Sequence, residues 1–154
     1  MYNNISKIRG FRLFLLRHID DLSAGQLNII PPGHNNNIIW NLAHLTAVVQ
    51  MMCYERSGLP FTIEGKYVSP YLSGTRPETF VEEAEIKNIR ELFIRSIDRL
   101  QSDFDKNMFG RYTPSVRISE VYGFTVTNIH EAIDYLLYHE GLHSGSILSL
   151  KHLV

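Results

Sequence analysis

Apolar residues in this chain recur every three or four positions along four separate stretches, and long strand-like alternation is absent. That period permits amphipathic helices, each carrying a stripe that another helix has to cover. The first stretch runs roughly from Asn4 to Leu22, with Ile5, Ile8, Phe11, Leu15, Ile19 and Leu22 in step. It stops before Gly25 and the Pro31-Pro32 pair, which break helices. The second starts at the Asn35–Asn37 run, a source of an N-cap, and ends at Gly58, a C-terminal stop. The third opens at Thr79, where Glu82 three residues on completes a capping box, and reaches about Leu100 through Phe80, Ala84, Leu92, Phe93 and Ile97. The last runs from near Thr127 almost to Val154. The aromatic link 59–78 is expected to pack over the helices, and the stretch between the third and fourth helices to hold one helical turn. These spacings predict an all-α four-helix bundle, one domain over residues 1–154.

The global numbers exclude several functions. A formal net charge of −1, with scattered Lys and Arg, leaves no footprint for nucleic acid. The apolar N-terminal stretch is interrupted by arginines and lacks a small-residue cleavage site, so neither a signal peptide nor a membrane span is expected. The single cysteine, Cys53, makes a disulfide framework impossible and a cytoplasmic location the expectation.

Seven histidines remain to be placed. "HEGLH", residues 139–143, matches the H-E-x-x-H pattern of zinc proteases. At about 100° per residue, His139 projects about 40° from His143, and Ile129, Ala132, Leu136, Ile147 and Leu150 fall within about 40° as well. Both histidines therefore lie inside the apolar stripe. An unsatisfied polar group there costs about 1–3 kcal/mol, and a shared metal satisfies both imidazoles at once. His44, on one face with Trp40, Ala47, Val48 and Met51, is the best third ligand. His130 and His152 project towards solvent, His34 falls in a loop, and His18 is a reserve at a helix edge. Cys53 lies about 180° around its helix from His44. A protease needs a further ligand downstream, and only "SGSILSLKHLV" follows His143, so that reading is poor. Glu140, about 60° from His143, is a candidate catalytic residue near a metal-bound water or, alternatively, a boundary carboxylate supporting the ligands.

"NNIIWNLAHLTAVVQ" and "EAIDYLLYHEGLHSGSILSL" together resemble the DinB/YfiT-like superfamily, with its W-x-x-x-H helix and its later H-x-x-x-H-x-G-x-I helix. The resemblance spans essentially the whole chain. It implies a four-helix bundle with a long crossover connection and a divalent metal, zinc or nickel, on His44, His139 and His143. The usual glutamine before the isoleucine is Ser146 here, which implies an altered polar contact near the metal. Relatives include metal-dependent hydrolases and S-transferases or isomerases that use low-molecular-weight thiols. The resemblance thus implies a metal-dependent enzyme with a small-molecule substrate; the alternative is a non-catalytic bundle, its metal structural or absent, serving as a binding or stress-response module. No Arg or Lys cluster near the ligands announces an anionic substrate; Phe61, Tyr67, Tyr71 and Arg76 could form a lid, although simple aromatic packing of the link is the preferred reading.

The second helix carries two stripes. Besides the His44 face, Ile38, Leu42, Leu45, Val49 and Met52 line nearly the opposite side. Because a bundle core covers one face, a homodimer is expected, with the Leu42/Leu45/Val49 stripe at or beside its interface; cover by the 59–78 link is the alternative.

Overall fold

The computed structural model describes residues 4–154. Helix α1 (Asn4–His18) keeps the three-four spacing, but with one exchange: Arg12 is fully buried in step with Ile5, Ile8, Leu15 and Ile19, while Phe11 is 46% exposed. A short helix α2 (Ala24–Asn28) follows, where the sequence suggested only a break. Ser23 caps it, accepting from Gln26 N–H while Gln26 Oε1 accepts from Ser23 N–H.

Helix α3 (Ile38–Val49) starts where the asparagine run predicts, with Asn37 Oδ1 accepting from Trp40 N–H at 2.9 Å. It continues through a π-helical turn (Gln50–Tyr54) and a 3-10 turn (Glu55–Ser57) and ends on Gly58 at φ 71°, the left-handed stop expected there. Helix α4 (Glu83–Asp105) begins three residues later than the Thr79 capping box implies, and Glu82 makes no side-chain cap. The cause is Asn28, whose side-chain amide accepts from Val81 N–H and donates to Val81 C=O, holding that residue outside the helix. Phe80, expected on the stripe, is 55% exposed. Helix α5 (Val116–Tyr122), capped by Ser115 and ended by Gly123 at φ 73°, is the predicted extra turn. Helix α6 (Ile129–Lys151) opens on Asn128, and all five residues assigned to the histidine stripe are buried.

The four long helices form a ring in which α1 and α3 each pack against both α4 and α6. Their side chains build two apolar clusters. One unites Ile5 and Ile8 with the C-terminal parts of α3 and α4 and the first half of α6. The other joins Leu15 and Ile19 to the N-terminal parts of α3 and α4 and the end of α6. So α1 and α6 run one way and α3 and α4 the other. Because α3 and α4 are parallel neighbours, the chain must return along the bundle between them, and residues 59–82 are that crossover. It is tied down by Gln50 Oε1, which accepts from both the N–H and the hydroxyl of Thr62.

Every residue of α3 is buried in the single chain. Leu42 and Leu45 lie in one apolar cluster with Leu15, Ile89 and Phe93, and Val49 lies in the other. The expected placement of that stripe at a dimer interface, or under the link, is therefore corrected: it is the bundle core. The His44 face is the one the crossover covers. Among the described residues no helix is long and apolar enough to cross a membrane.

Between the two clusters lies a polar layer. Arg12 donates to Glu140 Oε1 from Nε at 2.8 Å and from Nη2, to Phe93 C=O and Ser96 Oγ from Nη1 at 2.6 and 3.1 Å, and to Leu45 C=O from Nη2 at 2.9 Å. Its guanidinium lies 4.4 Å from the centre of the Phe93 ring. Removing one partner of such a buried pair strands the other. Arg12→Ala is expected to cost about 3–5 kcal/mol in chemical denaturation, and Arg12→Met with Glu140→Leu to recover part of it. Leu45→Glu, for its part, should unfold the chain, which circular dichroism would report.

Candidate metal centre

Two helices and one loop build the site. α6 presents His139 and His143 one turn apart, and α3 brings His44 against them. One ligand atom from each lies within 4.8 Å of the others. Ring centroids are 5.1 Å apart for His44–His139, 4.6 Å for His44–His143 and 4.5 Å for His139–His143. The three histidines singled out in the sequence are thus brought together. His130 and His152 are exposed, as projected, and His18 is exposed with Nδ1 against Phe14 C=O at 2.9 Å. Cys53 is fully buried in the apolar core.

Hydrogen bonds decide which nitrogen of each ring is available. His44 Nδ1 lies 2.6 Å from the carbonyl of Tyr71, which can only accept, so this nitrogen carries the proton and leaves the Nε2 lone pair free. His143 Nδ1 lies 2.7 Å from Asn41 Oδ1. The Asn41 amide is itself oriented, because its Nδ2 donates to Asn37 C=O and Asn36 Oδ1. His143 is therefore also an Nδ1–H tautomer. His139 Nδ1 is buried with no hydrogen-bond partner. With Nε2 free on His44 and on His143 and the His139 ring beside both, the three imidazoles form a donor set that could hold a divalent metal. The ring of Trp40 stacks on His44 at 4.7 Å and an interplanar angle of 10°.

Burial pulls all three imidazoles below the usual histidine range. His139 falls to about 2, through burial first and then through His143, His44 and Arg12. His143 falls to about 4, through burial and then His44. His44 is lowered by burial although its bond to Tyr71 works the other way. Near neutral pH all three are uncharged, the form that ligates metal.

Glu140, the candidate catalytic carboxylate, is 1% exposed and paired with Arg12, while its Oε2 is buried without a partner. Burial pushes its pKa up and Arg12 opposes this. Arg12 itself was hidden from the spacing argument by its charge, although it sits in the a/d-like series 5, 8, 12, 15, 19. Asn41, three residues before His44, likewise carries no signal in one sequence. Ser146 turns back to donate to Leu142 C=O at 3.2 Å.

The histidines open into a cleft of about 750 Å³, walled by Trp40, Val48 and Met51 of α3 and its extension, by residues 72–76 of the crossover and by α5. Of the lid candidates, Arg76 lines this cleft and Tyr71 supplies its carbonyl. Tyr67 is buried in the core instead, and Phe61 is not among the lining residues. The expectation of no basic cluster also needs correction, because Arg56, Arg76 and Arg117 all line the cleft.

Residues 13–147 match the DinB superfamily. The chain belongs to that family. Comparison with curated proteins returns no significant match. DinB-like proteins are metal-binding, and the all-helical bundle and the histidine cluster of this chain are compatible with that property.

Two measurements check the centre. Isothermal titration with zinc or nickel should give about one ion per chain, with affinity lowered at least tenfold in His44→Ala and unchanged in His130→Ala. In the metal-free protein the folded-state pKa values lie below the unfolded value of about 6.5. The unfolded chain then takes up protons first, and the stability present above about pH 6.5 is lost as pH falls. Its Tm should drop steadily between about pH 6.5 and 4.5, and a flat profile would contradict neutral, buried imidazoles.

Proposed function

We propose that this DinB-superfamily chain is a metal-dependent enzyme acting on a small molecule, and that its chemistry is thiol-dependent group transfer rather than hydrolysis. The observation that carries the choice is the absence of a carboxylate from the cleft: its described lining residues include no Asp or Glu. When bound at His44, His139 and His143, a zinc or nickel ion would supply a Lewis acid with an open coordination position, able to stabilise a thiolate.

The chain's own residues then hold and shield. Tyr71 C=O and Asn41 Oδ1 keep two imidazoles in the ligating tautomer. Val48, Met51, Met52 and Leu142 offer an apolar wall that excludes water from the reacting centre. A hydrolase of the H-E-x-x-H kind needs its glutamate facing the nucleophile as general base. Here Glu140 is engaged by Arg12 inside the bundle. A thiol, with a pKa of about 8.5, needs far less help to ionise than water at about 15.7. The cleft volume fits a small molecule, for which sites typically span roughly 300–1,000 Å³. A reducing cytoplasm, where such thiols persist, is the matching compartment.

The test is a pair of assays on the metal-loaded protein: transfer of low-molecular-weight thiols to monochlorobimane, and hydrolysis of p-nitrophenyl esters. Thiol transfer that disappears in His44→Ala and persists in His130→Ala is the expected result. Ester hydrolysis without any thiol transfer would reverse the choice of chemistry, and inactivity in both would favour a non-catalytic bundle.

A further inference from the structure

Three arginines line the cleft, and among the described residues none of them meets a carboxylate. Although the chain as a whole has a net charge of −1, three arginines and no carboxylate line this cavity. Among the described residues, no ion pair involves Arg56, Arg76 or Arg117, so no carboxylate of the chain sits against the guanidinium groups that line this cleft. Guanidinium groups left unpaired around one concave surface repel one another, an arrangement relieved by an anion bound between them.

The segments that carry them are held in place. Arg56 Nη1 donates to Pro114 C=O at 3.0 Å, and Arg56 C=O accepts from Thr113 N–H at 2.7 Å, which fastens the turn after α3 to the chain entering α5. Arg56 Nε is buried with no partner. Arg76 follows a turn fixed by Thr75, whose hydroxyl donates to the carbonyls of Pro70 and Leu72 and accepts from Trp40 Nε1. Arg117 is carried on the first turn of α5, beside Ser115. The three arginines thus come from three segments distant in sequence and line one cleft, which the three histidines also line.

We propose that the substrate of this cleft is an oxyanion-bearing small molecule, a carboxylate or phosphate ester, whose acid group is held by Arg56, Arg76 and Arg117 while its reactive end lies at the histidines. The planar guanidinium matches both anions with two parallel N–H donors. The inference rests on the cleft being the substrate site, and it adds the chemical class that site selects.

Trp40, the one tryptophan of the chain, lines the same cleft and reports on its occupancy. Its fluorescence should change saturably on titration with succinate or inorganic phosphate, in metal-loaded and metal-free protein alike. Which of the two binds more tightly separates a carboxylate from a phosphoryl substrate. Arg56→Gln and Arg117→Gln should each weaken binding about tenfold or more, and Arg95→Gln, on the exposed face of α4, should not. Circular dichroism confirms that each variant is folded before it is titrated. Metal content measured on the same samples separates the two readings, since anion binding that survives in protein unable to take up metal supports the arginine site while removing the metal one. No saturable change with either anion, or equal affinity in wild type and the Arg56→Gln/Arg76→Gln/Arg117→Gln variant, would overturn the proposal.

Discussion

The guanidinium of Arg12 reaches the other three bundle helices at once: Glu140 on α6, Phe93 and Ser96 on α4, and the Leu45 carbonyl on α3. A buried cation of this kind is tolerated only when its donors are met, and its five N–H groups find four acceptor atoms spread over three helices. Such a layer constrains the fold more than the apolar clusters above and below it. Apolar stripes tolerate rotation and sliding, whereas a guanidinium meeting fixed carbonyls does not. Register of all four helices at mid-height follows from it, in the way that a buried polar residue sets register in coiled coils.

The histidine cluster sits in that same layer. Glu140 is the neighbour of His139 in sequence, so the anchor that fixes α6 against α1 also fixes the helix carrying two of the ligands. Leu45, which accepts from Arg12, is the neighbour of His44 in the same way. One buried ion pair thus controls the relative placement of all three imidazoles, and the tautomers are set independently by Tyr71 and Asn41. In consequence Glu140 is a helix anchor in this arrangement, and the open side of the site faces basic and apolar residues.

How much of this was legible in the sequence depends on what each signal encodes. The four helices and the histidine face were, because 3.6-residue periodicity is written locally and the projection of His139 and His143 follows from spacing alone. The start of α4 was not: Thr79 and Glu82 form a good local capping pattern, but Asn28, some fifty residues earlier, overrides it by binding Val81 on both sides. Arg12 escaped for a related reason. Its place in the series of Ile5, Ile8, Leu15 and Ile19 is visible, yet only its distant partners explain why a charge is allowed there. The second apolar stripe of α3 misled because α3 is the most enclosed helix, covered by the core on one side and by its own crossover on the other. The cleft arginines, at 56, 76 and 117, are scattered in sequence and gathered only by the fold.

His44 and His143 are held as Nδ1–H tautomers, which leaves Nε2 of each free for a metal. Long-range ¹⁵N–¹H NMR of histidine-labelled protein reads this directly. Protonated Nδ1 is expected on both residues before and after zinc is added, with a large Nε2 shift on addition and none at His130. Nε2–H tautomers at either residue, or Nε2 resonances that zinc leaves unmoved, would contradict it.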